Sequence, residues 1–527
     1  MNEREVVRRL KSFHEGRPLP RGETRHVHIA DDIDALIVSF VRMGGESRPW
    51  GIAFGHPGSK PRYLTVAEAR NRDLVADMAA EFVPVLLKHL RAPGYVGHDP
   101  ASADDLLPLR QVWLPNPTHL DMLHHLAFAY SFTKWGAGAR GRLNALGRAC
   151  GWMFREAQRP GQQTSIVATA ALRQAYTFPA EDTRQGHLGF LLAWLEAKGN
   201  RSKRLDAALK AEQLTIATSL APDFERADLE RHVEAWGSAR KDEDDAGMQR
   251  ADKAIRKLLM PELERRWCLT EQALQLLRSD RRRTNAGVAR LVEESAQEQW
   301  YQYTRLELRL GSGDDGPAFF PSVETDRNAA AAASRYFVHS SAADLVEGLL
   351  VHDDAELLAD AVAAGDAIRG KIVGVRDDAP PHTGRGRPPT RPVWIVRDES
   401  DRQIRLRTGS EVCVVGVRGR TGRIRAFTET DDGALEVEIE IHGWKTRRDG
   451  LPSPHDRPPN SPTMVGTEVG LIKTTLDGLS RKKSFKVWNK RGPGAWLTHS
   501  PPGGVAAQVS EGDQNDLAAV AQAEAGR

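Results

Sequence analysis

The chain has 527 residues, 40% hydrophobic and 28% charged, with a formal net charge of +3. That length exceeds what one hydrophobic core serves, so two or more domains are expected. No run approaches the roughly 20 apolar residues of a membrane span, and the widely spaced Cys150, Cys268 and Cys413 exclude a disulfide framework and a Cys-x-x-Cys zinc site.

The N-terminal MNEREVVRRLKSFHEG is charged and amphipathic and lacks the apolar core of a secretory signal, so the expected location is cytoplasmic. HVHIA, RPWGIAFG and YLTV read as short strands, with the turn-forming GHPGSKP between the last two. Residues 1–100 are therefore expected to form a mixed α/β portion. Helical spacing then dominates to about residue 364, which predicts an α-helical body over 101–365. Leu263, Trp267, Leu274 and Leu277 share a helix face, and Pro261 suits that helix's first turn. Val288, Val292, Trp300, Tyr303, Leu306 and Leu310 line another helix. Arg281–Arg283 fall between these two helices, as a solvated loop would. Ser341 and Asp344 resemble a helix start, and LVEGLLVHDDAELLADAVAAG reads as one helix closed by Gly365.

Two partial motifs lie in the body. GAGARG has the G-x-G-x-x-G spacing of a dinucleotide loop, but the preceding HLDMLHHLAFAYSFTKW reads as helix where that loop needs a strand. His119, Asp121, His124 and His125 in THLDMLHHL make a metal-site alternative, although the zincin pattern of two histidines four apart around a glutamate is missing. His26 and His28, with Asp31 and Asp32 beyond, are a weaker version of the same idea. No P-loop is present.

The pattern changes near residue 366. GKIVGV, PVWIV, QIRLR, EVCVV, GRIRAF and LEVEIEI are short, β-branched and largely alternating, separated by turn-rich pieces such as PPHTGRGRPPT and TDDG. Such runs predict a small antiparallel barrel or sandwich within a module spanning 366–498. The remainder, 499–527, has the composition of a disordered tail. Between Arg369 and Arg491 the sequence holds 25 basic and 16 acidic residues, so the positive surplus of the chain is concentrated there. Across the TDDG hairpin, a four-residue loop sets Arg425 opposite Glu438 and Arg423 opposite Glu440, whereas a two-residue loop sets Arg425 opposite Glu440. These pairings also offer the face of Glu436, Glu438 and Glu440 a partner simpler than a nuclease metal.

GSEVCVVGVRGRTGRIRAF, residues 409–427, resembles a KOW motif, the strand–loop–strand unit of SH3-like barrels. Val412 and Val414 match its alternating strand, Gly419, Gly422 and Ile424 its G-x-x-G-x-I order, and Arg420 and Arg423 its basic positions. The resemblance implies an SH3-like barrel that contacts RNA, DNA or protein, without catalysis. Binding residues are then expected at Arg405 and Arg407, which alternate with Ile404 and Leu406, and at Arg418 and Arg420 in the loop. RKKSFKVWNKRGPGAW adds Arg481, Lys482, Lys483, Lys486, Lys490 and Arg491, with Trp488 as a stacking platform.

The expected protein is thus multidomain α+β: a large α-rich body with a small mixed N-terminal portion and a C-terminal SH3-like barrel. Its expected role is non-catalytic, binding DNA or RNA without sequence specificity and scaffolding a nucleic-acid-processing complex, bacterial phage defence being one such setting. Partner protein subunits are expected, and neither a cofactor nor a membrane. The alternatives are a hydrolase or nuclease with a metal at His119–His125, and a protein-only adaptor.

Overall fold

ALIVSFVR, residues 35–42, is apolar at nearly every position, and only its terminal arginine is not fully buried. A strand covered on both faces reads this way because it has no polar side to alternate with. The computed structural model describes residues 3–44, 46–91, 109–131, 135–136, 138–180, 183–311, 342–343, 346–377, 392–398, 404–416, 421–442 and 465–473.

Helix α1 (Glu3–Glu15) leads into β1 (Leu19–Pro20). The central strand is β2 (Ala35–Arg42), and β3 (Pro49–Gly55) and β4 (Arg62–Thr65) follow it as an antiparallel meander. After α2 (Arg72–Arg91), the strand β5 (Gln111–Leu114) pairs in parallel with β2. Helices α3 (Pro117–Tyr130) and α4 (Leu143–Ala157) then cross to β6 (Ser165–Val167), parallel to β5. The sheet order is β4-β3-β2-β5-β6. HVHIA is not a strand of this sheet; next to it, Arg25 makes a single bridge to Thr284. Asn116 caps α3 by accepting from the Thr118 amide, with Pro117 at its first position.

Helix α5 (Ala168–Ala175) ends in β7 (Tyr176–Thr177), which pairs with β1. Then come α6 (Leu188–Glu196), α7 (Arg201–Glu212), the short α8 (Pro222–Phe224) and α9 (Glu230–Lys241). The 35-residue α10 (Asp245–Ser279) packs across β2, β3 and β4, burying Leu263, Trp267, Leu274 and Leu277 as expected. Pro261 lies inside α10 rather than at its start. The Lys257 carbonyl therefore lacks its usual amide donor, a loss that the buried face on both sides outweighs. Helix α11 (Ala286–Gly311) follows. One apolar cluster runs from Val27 to Leu277, so residues on both sides of position 100 share a single interior.

The helix expected to close on Gly365 is two. Residues 346–351 are helical, the chain turns at 352–353, and α12 (Ala355–Ala364) begins anew from the N-cap Asp354. Gly365 does close α12, at φ 80°. The strands β8 (Ala367–Asp377), β9 (Pro392–Asp398), β10 (Glu411–Val414), β11 (Thr421–Glu429), β12 (Leu435–His442) and β13 (Glu468–Lys473) then form a closed barrel. Its order is β10-β11-β12-β9-β8-β13, every pairing antiparallel. QIRLR supplies no strand, and the sixth staff is EVGLIK, residues 468–473. Trp394, Val412, Val437, Ile439 and Leu471 fill the barrel interior.

Asp354 joins these parts. One carboxylate oxygen accepts from the amides of Glu23 (2.8 Å) and Thr24 (2.9 Å) and the Thr24 hydroxyl (2.7 Å), with His26 Nε2 at 3.3 Å. The other accepts from the amides of Glu356 and Leu357, both at 3.1 Å. Burial alone would raise this carboxyl, but the hydrogen bonds from His26, Thr24 and the Leu357 amide outweigh it and hold the pKa well below the usual carboxylate range. A depressed pKa contributes stability that is fully present above the unfolded value of about 3.9 and is lost as pH falls below it. Asp354→Ala is expected to destabilise the protein by about 3–5 kcal/mol at pH 7 in denaturant unfolding. The gap from wild type should narrow towards pH 3; a difference under about 1 kcal/mol at pH 7 would contradict this role.

Candidate nucleic-acid interface

The β11–β12 hairpin shows how the arginines of GRIRAF are used. Its loop is Asp431-Asp432-Gly433: Thr430 N donates to Ala434 O (2.8 Å), Gly433 N donates to Thr430 O (2.8 Å), and Gly433 takes φ 80°. A three-residue loop is odd, so on its own it would reverse the side-chain parity expected from loops of two or four. A bulge between Ile424 and Ala426 restores it, returning Arg423 to a position opposite Glu440. Arg425 occupies the bulge and donates to Glu440 at 2.9 and 2.6 Å. Glu438 is held by Arg376 of β8, through two bonds of 2.8 and 2.6 Å.

The same economy extends round the wall of the barrel. Arg369 pairs with Glu468 at 2.6 Å, Arg397 with Asp432, and Arg405 with Asp366 at 3.6 Å. Arg423 donates from Nε to the Gly409 carbonyl at 3.3 Å. Arg407 is exposed, and its guanidinium has no partner among the described residues. Leu406 between them is buried, so the expected alternation holds on an irregular segment rather than on a strand. From Arg369 to Arg491 the described residues carry nine basic and ten acidic side chains. The positive surplus therefore belongs to the segments joining the strands and to residues 474–491 after the last strand.

Topology places those segments. With every pairing antiparallel, the C-terminal ends of β8, β10 and β12 and the N-terminal ends of β9, β11 and β13 share one end of the barrel. Residues 378–391, 417–420 and 443–464, which join them, carry nine basic and three acidic side chains. Arg418 and Arg420 belong to this set and lie outside the described residues, as do Arg481, Lys482, Lys483, Lys486, Trp488, Lys490, Arg491 and the segment 499–527. Arg405 is at the opposite end, where its amide bonds the Gly365 carbonyl just before β8 (2.8 Å). Of the expected binding residues, only Arg405 and Arg407 fall among the described residues.

The residues of the metal alternative do not converge. His119 is fully buried, accepting from the Phe40 amide at Nδ1 (3.0 Å) and donating from Nε2 to the Ile216 carbonyl (3.0 Å). Burial pushes its pKa down to about 3. His124 stacks on Phe154 with ring centroids 4.1 Å apart, while Asp121 and His125 are exposed. Among the described residues no group of three or more His, Cys, Asp or Glu side chains is placed to hold a metal ion. GAGARG follows the helix α3 and has Gly136 and Gly138 at positive φ, the geometry of a turn between helices. Arg282 is mostly buried rather than solvated, donating to Asp280 and to the carbonyls of Arg21 and Gly22.

Two features escaped the sequence reading. Cys413 Sγ lies 3.6 Å from His352 Nε2, and His352 Nδ1 accepts from the Gly416 amide (2.9 Å), pinning the β10 end to the turn before α12. A cavity of about 690 Å³ is lined by His26, Arg8, Arg21 and Arg159. Each of these arginines already has a carboxylate partner, in Asp360, Glu5 and Glu156 respectively. The Cys413–His352 contact and the Arg8–Asp360 pair have no local signature, because their partners are 61 and 352 residues apart.

No family model, curated protein or solved structure matches the chain. The closed six-stranded barrel is compatible with the SH3-like expectation, and among the described residues no helix is long and apolar enough to cross a membrane.

Gly422, a glycine of the KOW-like stretch, has a packing reason to be there. A Cβ at that position would sit 2.8 Å from Ile439 Cγ2 and 2.9 Å from the Glu440 carbonyl oxygen. Gly422→Ala is expected to destabilise the barrel by about 1–3 kcal/mol, read as faster limited proteolysis within residues 366–476. Wild-type resistance would show that β11 and β12 are not packed this closely.

Proposed function

We propose that this chain is a non-catalytic nucleic-acid-binding subunit that grips the phosphate backbone, without reading sequence, through one end of a KOW-type SH3-like barrel. The helical body docks partner subunits of the same nucleic-acid-processing complex, phage defence being one setting for it. A single observation carries this reading: three connections with nine basic and three acidic residues leave the barrel at the same end. Along the wall, by contrast, most described arginines are matched to carboxylates. A net positive sequence on connections that leave a rigid scaffold at one end suits a polyanion, whereas charge already paired on the wall contributes little to binding one. Arg481–Arg491, with Trp488, would extend the contact by stacking on unpaired bases. Arg405 and Arg407 are secondary, being at the other end.

Fluorescence anisotropy of labelled oligonucleotides across a salt series tests this. Affinity should fall steeply with salt and vary little with sequence. Arg418→Ala/Arg420→Ala should reduce the slope of log K against log salt by about 2. Arg405→Ala/Arg407→Ala should change it less. Salt-independent affinity, or an unchanged slope in the Arg418/Arg420 variant, would contradict the proposal.

A further inference from the structure

Helix α1 is turned inside out. Its polar side faces the protein: Arg8 donates to Asp360 (2.9 and 3.2 Å), Arg4 to Asp360 (2.8 Å), and Glu5 accepts from Arg21 (2.9 and 2.7 Å). Ser12, fully buried, donates to the carbonyls of Arg17 and Thr177. Its apolar side faces outward, with Val7 63%, Leu10 61%, Phe13 48% and Val6 38% exposed. These are four of the nine large apolar side chains exposed among the described residues, gathered on two helical turns. Arg201 stacks on Phe13 at 3.5 Å without covering it. An amphipathic helix ordinarily buries its apolar stripe, and a stripe left outward on a folded protein marks a contact surface.

We infer that this face is an isologous contact in which α1 packs antiparallel against α1 of a second copy of the chain. Charge along the helix selects that occupant. The outward side begins with Glu3, exposed and without an ion pair to another described residue, and ends with His14 and, on its flank, Lys11, whose ammonium lies 3.9 Å from Glu15 of the same helix. Antiparallel pairing brings Glu3 of each helix to His14 and Lys11 of the other and closes the apolar stripe on itself, as a twofold interface requires. Thirteen residues of helix fall well short of the roughly 800 Å² per partner of a standard interface, so the dimer is a weak one. The inference is independent of the proposed function.

Sedimentation of the full chain from about 1 to about 100 μM tests it, a range suited to an interface of this size. The wild type should move from a 58.2 kDa species towards twice that mass as concentration rises. Leu10→Asp/Phe13→Ser should stay at the lower mass with an unchanged circular dichroism spectrum, both substitutions being on the solvent side. Glu3→Lys should weaken association, and Glu3→Lys combined with Lys11→Glu should recover it. A wild type of single mass at every concentration overturns the inference and leaves the face to another partner. A dimer that survives Leu10→Asp/Phe13→Ser, or a charge exchange that fails to recover it, overturns it equally.

Discussion

The arrangement of this protein depends on one buried carboxylate. Asp354 collects donors from Glu23, Thr24 and His26 on one oxygen and from the first turn of α12 on the other. A buried charge is tolerated only when its hydrogen-bonding capacity is met, so the group fixes both segments at once. Asn285 extends the bond set by donating to the Thr24 hydroxyl (2.9 Å) and the Leu350 carbonyl (2.8 Å). Helix α12 then carries the neighbouring parts. Asp360 holds α1, while Leu357, Leu358, Ala361 and Val362 pack with Val351, Val415, Ala367 and Ile472 where the barrel begins. Ten residues of helix thereby brace both α1 and the barrel against the body.

Electrostatics in the barrel follow from its topology. Ion pairs along the wall shorten the reach of each charge, and they stay local under screening of about 8–10 Å in physiological salt. The connections differ because an antiparallel ring of an even number of strands sends alternate loops to opposite ends. The strand ends that the arginine-rich connections join fall together by that rule alone. A linear count of 25 basic against 16 acidic residues does not separate these two populations.

Much of this was legible in the sequence, and the misses have physical causes. The barrel strands β8 to β12 stood out because one face is wet and one dry, which writes a period of two. QIRLR has that period too, yet it bonds its neighbours through isolated contacts such as Arg405 N to Gly365 O. Strand β2 carries no period-two signal because a strand buried on both faces has no alternation. The segment before Gly365 reads as one helix because Asp353-Asp354 sits within an apolar repeat, which hides the local cap that Asp354 makes to the Glu356 and Leu357 amides. The hairpin register resisted for a subtler reason: the odd loop at Asp431-Asp432-Gly433 and the bulge at Arg425 cancel, and neither is visible without the other. At the proposed interface the residue types are readable, while which strand ends share one end of the barrel needs the strand order.

The most direct test of the central claim is photo-crosslinking of a bound oligonucleotide to the intact chain, followed by peptide mapping. The account predicts adducts confined to residues 378–391, 417–420 and 443–464, with further adducts around Trp488. Adducts on the helical body instead, or on the wall of the barrel, would contradict it.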